Sequence, residues 1–497
     1  MNIDLIFGLV APIGTKIDLV QKSLEAEISA YKYEAKVINV SEVIDSISKE
    51  FNLRDRYEDI LRIKDKIELG NKICKITKSK DFLSLAVVSK IKKHQESILI
   101  NEKSESEIPE ENKPTAFIIR QLKRPEEVKL LKEIYGGRFI QISANNSQDT
   151  RLSVLKDLTS KEYPEKPPVD VDLFAQKIIN DDADEASEDY GQRISDTFYT
   201  ADFFVECKSR ESVDVAIKRF LKGIFGSNLI SPTRDEYGSY FAKAASLKAV
   251  DMSRQVGAAI FTQGGEIVIM GCNDVAKAGG GLFWEEDQEK HRDIDLGSEA
   301  NKEETSRIIY SFLETLQSKG IIENAPEQIL SRSDVKDAIS DSLIGDITEY
   351  GRMVHAEMNA ITDAGRLGRS LNDTNMYVTT YPCHNCAKHI VASGVRRVVY
   401  IEPYPKSRAA KLYRHAITDK SDGNGVIFEH FYGISPTIYK LVFERRKRKS
   451  PTGGVQDWQN GSPHPVLEIK DFSIAQNEKY EEYISKFKKT KDNMNTY

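Results

Sequence analysis

Two short motifs constrain this chain more than any other part of it: His355-Ala356-Glu357 and Pro382-Cys383-His384-Asn385-Cys386. One imidazole and two thiolates from separate stretches can share a metal ion only if the fold brings both stretches to one point. The local patterns say how. Residues 358–371, with Met358, Ile361, Ala364 and Leu367 on one face, predict a helix, and residues 375–380 (Asn-Met-Tyr-Val-Thr-Thr) predict a strand. Cys383 then follows a strand end and opens a second helix. Both ligand sets thereby sit at helix N-termini, where unbonded N–H groups and the positive end of the dipole favour thiolate over thiol. Three protein ligands (His355, Cys383 and Cys386) leave the fourth tetrahedral position of a zinc ion open, as a catalytic site requires. Glu357 is not a ligand; two residues beyond His355, it is placed to move a proton.

The pattern H-x-E…P-C-x-x-C is the signature of zinc-dependent nucleobase deaminases, with the glutamate as general acid and base. It predicts hydrolysis of an amine. A redox Cys-x-x-Cys would leave His-Ala-Glu unexplained. A structural zinc knuckle needs a second cysteine pair, whereas Cys74, Cys207 and Cys272 are scattered singly. The 497 residues, 40% of them hydrophobic, suffice for two substantial cores. No apolar run is long enough to span a bilayer, and Met1-Asn2-Ile3-Asp4 lacks the basic start of a signal peptide. With five cysteines and no even disulfide framework, the expected compartment is the cytoplasm. A formal net charge of −6 gives no global attraction to nucleic acid, so any polyanion must be met by local basic patches.

A first domain, residues 1–228, opens with the apolar run 4–10, then Ala11-Pro12-Ile13-Gly14-Thr15-Lys16, then a helical pattern through Ile17, Val20, Leu24 and Ile28. Strand, glycine-containing turn and helix is the context of a phosphate-binding loop formed by Gly8, Gly14, Thr15 and Lys16. Five residues rather than four separate the glycines, and Thr15 precedes Lys16 instead of following it. Loss of the hydroxyl after the lysine removes the usual magnesium contact and argues against phosphoryl transfer. An ordinary strand-to-helix turn is the alternative reading. Further strands at 115–119, 138–142 and 201–206 alternate with helical patterns, which predicts a parallel, helix-covered sheet. The order resembles nucleoside monophosphate kinases of the P-loop class, and that resemblance makes Arg120, Arg124 and Arg151 phosphate-contact candidates, with surface solvation as the alternative, above all for Arg124. Residues 102–113 and 161–190, rich in charge, are expected to be exposed loops.

A second domain, residues 229–497, begins with a helix through Tyr237, Phe241, Ala244 and Leu247. It continues with Ser253-Arg254-Gln255-Val256-Gly257-Ala258-Ala259-Ile260, read as a hairpin strand, and Gly271-Cys272-Asn273. Together with the zinc motifs, this order over roughly 230–405 resembles the deoxycytidylate deaminase branch of the cytidine deaminase-like fold, an α/β/α sandwich. The resemblance implies that Asn273 contacts a sugar hydroxyl, although Ala276 stands where the family usually has proline; a turn asparagine is the alternative. About eighty residues separate Asn273 from His355, and the insertion near 279–350 is expected to form a lid or an oligomer contact.

Beyond the zinc motifs, Tyr404 could border the pyrimidine, while Lys406 and Arg408 are spaced to reach phosphates; a solvated loop is their alternative. The run Arg445–Lys449 could bind RNA or end a solvated helix. A P-loop-like domain joined to a deaminase with the tail Tyr400-Ile401-Glu402-Pro403-Tyr404-Pro405-Lys406-Ser407 resembles the bacterial anti-phage dCTP/dCMP deaminase family. That resemblance implies conversion of dCTP and dCMP to dUTP and dUMP with release of ammonia, depletion of dCTP during phage infection, and a small inhibitory RNA as partner. A homo-oligomer and a regulatory nucleotide on the first domain are also expected. Two other functional classes stay open: a polynucleotide cytidine or adenosine deaminase, which should carry aromatic and basic strand platforms, and a nucleotide-sensing protein dominated by its first domain.

Overall fold

The computed structural model describes residues 3–53, 63–104, 113–165, 167–185, 188–345, 347, 349–419, 425–445, 447–467 and 474–494. Its contacts divide the chain into one unit of residues 1–232 with 432–497, and a second of residues 233–431.

In the first unit, β1 (Leu5–Val10), β2 (Glu34–Asn39), β3 (Thr115–Leu122), β4 (Phe139–Asn145) and β5 (Phe203–Glu206) form a parallel sheet in the order β5-β4-β1-β3-β2. All six residues of β1 are buried, as a central parallel strand covered on both faces must be. The apolar stripes of helices Ile17–Ile28 and Arg210–Ile224 supply one layer: Val20, Leu24, Ile217 and Phe220 join the sheet's core, and Phe220 stacks on Phe203 at 4.2 Å.

Residues 432–497, expected to extend the second domain, belong to this first unit. The short strand Gly433–Ile434 adds antiparallel to β5, Trp458 meets Tyr31 edge-on, and Phe487 of helix Ile474–Met494 packs on Phe82. Their apolar side chains complete a core that β5 and helix Phe82–Ser104 leave open at those places. The stretch 161–190 also differs from expectation. Helix Gln148–Glu162 runs into it and helix Pro168–Ala183 occupies its middle, because Leu155, Ala175, Ile178 and Ile179 cluster at helical spacing. Of the other expected loop, residues 105–112 lie outside the described residues.

The second unit is built on β6 (Gly257–Phe261), β7 (Ile267–Cys272), β8 (Asp274–Val275), β9 (Met353–Val354), β10 (Thr374–Thr380), β11 (Val395–Glu402), β12 (Ile417–Thr418) and β13 (Val426–His430). The sheet order is β12-β13-β11-β10-β6-β7; β6 is antiparallel to both neighbours and the remaining pairs are parallel, while β8 and β9 form a separate two-stranded ribbon. Helices Ala356–Arg366 and His384–Ser393 pack through Ala360, Ala364, Ala387 and Ile390. The alanines let the first of these helices lie close to β7. At Gly271 an added Cβ would fall 2.4 Å from the Ala356 carbonyl oxygen, so no larger residue fits. The insertion forms helices Ala300–Ser318, Pro326–Ser331 and Ser333–Asp341, and the first of these buries no residue. Among the described residues no helix is long and apolar enough to cross a membrane.

His430, closing β13, is half-buried with both ring nitrogens shielded from solvent, and burial pushes its imidazole down to about 4. A depressed folded value means that the neutral ring is carried without cost above the unfolded value near 6.5. Below that the unfolded chain takes up a proton that the folded one refuses until about pH 4. Stability of this unit should therefore fall as pH drops from 6.5 to 4. Denaturant titrations at pH 7.5, 5.5 and 4.5 should show a steeper loss for the native chain than for His430→Gln.

Candidate active site

The two zinc motifs meet where their local structure predicts. His355 is the N-cap residue of helix Ala356–Arg366, and Cys383 is the N-cap of helix His384–Ser393, its sulfur accepting from the Cys386 amide at 3.5 Å. His355 Nδ1 lies 3.3 Å from both Cys383 Sγ and Cys386 Sγ. The three ligand atoms lie within 4.8 Å of one another. Zinc–ligand bonds near the usual lengths in a tetrahedral arrangement imply separations of about 3.5 Å. The donor set, its burial and its spacing therefore fit zinc.

Charge at the cluster is shared. The Cys383 thiol is drawn down to about 4 by a hydrogen bond from Cys386 and by His355, while Cys386 is pushed well up by that same bond and by burial. The pair thus holds one thiolate easily, and two call for a cation. Glu357 is 3% exposed, and burial pushes its carboxyl above the usual range, against the lowering influence of His355. A buried carboxyl of this kind beside a metal site is suited to taking up and releasing a proton.

His355, Glu357 and Cys383 line a cavity of about 540 Å³, and so do Asn273, Tyr404, Lys406 and Arg408. All four residues chosen for substrate contact thus line the same cavity as the metal cluster. Asn273, however, is committed to the protein. Its Nδ2 donates to Asp251 Oδ2 and to the Arg254 carbonyl, both at 2.8 Å, and its Oδ1 accepts from the Val256 amide at 2.6 Å. Both donors and one lone pair are taken, so this side chain shapes the loop before β6 and has one acceptor position left. The stretch Ser253–Val256, read as part of a hairpin strand, is that loop; the strand begins at Gly257.

Sequence reasoning missed Asp251 and Arg254, and named no residue of the insertion, for which a lid was one of the two expected forms. Arg292, Asp293, Glu299, Asn301, Leu343 and Ile347 all line the cavity. Two anchors fix this wall: Arg352 pairs with Asp293 at 2.9 Å, and Asn301 Nδ2 donates to the Ile347 carbonyl at 2.8 Å. Nothing in the insertion's charged pattern signals the placement. For Arg254 a signal existed, in its position beside the Val-Gly-Ala-Ala-Ile strand.

The phosphate-loop candidates of the first unit behave differently. Gly8 lies inside β1, paired with Ile119 and Gln141, against the Phe139 ring. Gly14 has φ +82° and packs on the Arg151 carbonyl, so the glycine serves a turn and a close helix contact. The amide of Ile13 donates to Asp182 Oδ2 at 2.7 Å, and that of Lys16 to Asn146 Oδ1 at 3.0 Å. Asp182, fully buried, also receives Lys123 Nζ at 2.7 Å. Protein oxygens thus occupy these two donors, and the Thr15 hydroxyl, buried, has no partner among the described residues.

Each candidate arginine of the first unit is likewise engaged. Arg120 pairs with Asp18 at 2.6 Å, and Arg151 donates to the Ile13 carbonyl at 2.9 Å. Arg124, expected at the surface, is 2% exposed and bonded to Glu127, Asn71 and the Tyr190 carbonyl, because a buried guanidinium needs all its donors met. In the basic run, Arg445 donates to the Gly223 carbonyl and Arg448 to those of Asn228 and Ile230, so both tie down backbone; Arg446 lies outside the described residues. Removing the Asp182 carboxylate would strand a nearly buried Lys123. Asp182→Ala should destabilise the first unit by about 3–5 kcal/mol, read as a shifted midpoint in urea.

Residues 232–402, roughly a third of the chain, match the family model of the cytidine and deoxycytidylate deaminase zinc-binding region. Over 55 residues the chain is 49% identical to the deoxycytidylate deaminase of Enterobacteria phage T4, a stretch covering 11% of this chain and 28% of that protein. Over 98 residues it is 35% identical to the human deoxycytidylate deaminase, covering 20% and 50%. The chain thus spans half or less of the length of these curated relatives. Among solved structures, the dCMP deaminase of cyanophage S-TIM5 in complex with dCMP and dUMP aligns at 16% identity over 41% of this chain and 99% of that one, with a TM-score of 0.24.

Proposed function

We propose that residues 233–431 catalyse the zinc-dependent hydrolytic deamination of a deoxycytidine nucleotide. One observation carries this reading: a His-Cys-Cys ligand set whose atoms lie within 4.8 Å of one another, with the buried carboxyl of Glu357 in the same cavity. Water adds at C4 of the pyrimidine, the C4–N bond breaks, and ammonia and the uracil nucleotide leave. His355, Cys383 and Cys386 would hold zinc, which when bound would supply the Lewis acidity that makes water a nucleophile at neutral pH. Glu357 takes a proton from the attacking water and delivers it to the departing nitrogen. Its burial excludes bulk water from that transfer and keeps its affinity for the proton high enough to hold it between the two events.

Free nucleotides suit the cavity better than a strand of nucleic acid. The insertion's wall through Arg292, Asp293, Glu299, Asn301, Leu343 and Ile347 carries one basic and no aromatic side chain among these six, unlike an aromatic and basic track. Both dCMP and dCTP fall within the proposed class, with dUMP and dUTP as products. The resemblance to anti-phage dCTP/dCMP deaminases extends the reading to depletion of deoxycytidine nucleotides during infection. For the first unit, the central position of β1 followed by a turn and helix Ile17–Ile28 supports a P-loop-like ancestry. A nucleotide phosphate there would have to displace the Asp182 carboxylate, so its role is read as regulatory.

Chromatography of products from zinc-loaded protein incubated with single nucleotides, oligonucleotides and ATP separates these possibilities; deamination of oligonucleotides alone would defeat the proposal. Glu357→Ala should keep zinc and fold yet lose on the order of 10²–10⁴ in rate. Cys386→Ser should lose zinc and activity together, since a hydroxyl is a poor substitute for thiolate. Full zinc content in the serine variant, measured by elemental analysis, would contradict the ligand set.

A further inference from the structure

The insertion between Asn273 and His355 carries helices whose apolar side chains its own fold leaves open. Among the described residues of helices Ala300–Ser318, Pro326–Ser331 and Ser333–Asp341, Pro326 alone is buried. Ile308 is 38% exposed and Phe312 58%. A helix of this length keeps its shape in water chiefly by laying an apolar stripe against something else. One side of helix Ala300–Ser318 is met from within, since the Tyr310 hydroxyl donates to Glu327 on the next helix. Its start is fixed as well: Asn301 donates to the Ile347 carbonyl at 2.8 Å and accepts from the Tyr350 amide at 3.3 Å. Residues two apart on a helix face opposite ways, so Ile308 and Phe312 stand on the far side from Tyr310.

That far side has a charge pattern. At spacings of three and four, which keep to one face, it reads Glu304, Ile308, Phe312, Thr315 and Lys319. An acid stands at one end, a cation at the other, and the two exposed apolar residues lie between. The midpoint of Glu304 and Lys319 falls beside Phe312, and the midpoint of Ile308 and Thr315 falls at the same place. A stripe whose charges are opposite about its centre is complementary to its own copy turned end to end. A two-fold axis beside Phe312 puts Glu304 of one copy opposite Lys319 of the other and the two Phe312 rings together; a parallel pair would set like charges side by side. Both charges are available. Lys319, the residue that ends the helix, has no ion pair among the described residues, and Glu304 meets Arg307 of its own helix at 2.7 Å, an exposed pair of little strength.

We infer that helix Ala300–Ser318 is an interaction surface for a second copy of this chain, pairing antiparallel with its equivalent about a two-fold axis beside Phe312. Each copy offers the same patch, so a single stripe of one acid, two apolar residues and one cation closes the contact on both sides. Glu299 and Asn301, where this helix begins, line the zinc cavity. The helix pair thereby joins the wall of one cavity to the wall of the other. The pairing follows from the stripe and its exposure, and does not depend on which reaction the cavity carries out.

The test uses the zinc-loaded full chain with Ser311→Cys, beside the axis, and Ser306→Cys, on another side of the helix and away from the axis. The five native cysteines are buried, so a short bismaleimide reports the introduced thiol. Ser311→Cys should give a covalently linked dimer on a denaturing gel, and Ser306→Cys should stay a single chain. Carried into the Ser311→Cys background, Glu304→Lys or Lys319→Glu should each lower the linked fraction about fivefold, because one reversal creates two like-charge pairs per dimer. The two reversals together should restore it. Zinc content and helical circular dichroism matched to native protein keep a misfolded variant from being counted. Equal linkage at positions 311 and 306, or linkage at neither, would overturn the pairing. So would a double reversal that links no better than the single ones, or a native chain that sediments as a monomer and leaves the stripe to a different partner.

Discussion

The site depends first on how near one helix can come to one strand. Helix Ala356–Arg366 approaches β7 so closely that a single methyl group at Gly271 would meet the Ala356 carbonyl oxygen at 2.4 Å and the Ala360 amide at 2.6 Å. Asn359 reinforces the contact by accepting from the Cys272 amide at 3.2 Å. This approach sets where the helix begins, hence where His355 stands as its cap. The second helix start is set independently: β10 and β11 run parallel, and Cys383 begins the helix that connects them. A parallel pair requires such a crossover, so the cysteine ligands are placed by topology and the histidine by packing. Their convergence to 3.3 Å is the product of both.

Hydrogen-bond capacity explains why Asn273 acts indirectly. An amide side chain offers two donors and an acceptor oxygen, and here three backbone or carboxylate partners consume nearly all of it. Replacing that amide with an apolar group would leave a backbone carbonyl and an amide of the loop without partners, at a cost of roughly 1–3 kcal/mol for each such group if it remained buried. The residue therefore stabilises the loop conformation that presents Arg254 and Asp251 to the cavity. A sequence can announce the asparagine after a glycine and a cysteine; it does not say which loop spends the amide.

The legible part of the site was the part with a covalent logic. Ligand type, ligand count and the Glu357 position follow from His-Ala-Glu and Pro-Cys-His-Asn-Cys, since few other arrangements of those residues hold a metal with an open position. The parallel sheet of the first unit was legible through its buried apolar runs, with β1 the plainest. What escaped were features decided by distant neighbours. Helix Pro168–Ala183 hid in an acidic stretch because its buried positions, Val171, Ala175, Ile178 and Ile179, are outnumbered by exposed polar ones. The return of residues 432–497 to the first unit rests on two-residue pairing at β5, on arginine-to-carbonyl bonds from Arg445 and Arg448 and on scattered aromatic contacts, too sparse to leave a periodic trace.

The turn after β1 shows how the same motif chemistry can be satisfied from within. A strand, a turn with a positive-φ glycine and a helix start present amide donors to an anion whatever its source. In this chain Asp182 meets one of them at 2.7 Å and is itself neutralised by Lys123, which also donates to the Ala11 carbonyl at 2.9 Å. A carboxylate covalently part of the fold loses less entropy on binding than a diffusing phosphate does. It also brings a buried lysine that would otherwise need a partner. The arrangement is stable for the reason a nucleotide complex would be, namely that donors and a cation surround one anion. The glycine spacing and the early threonine that weaken the motif as a nucleotide cradle do not hinder this internal pairing.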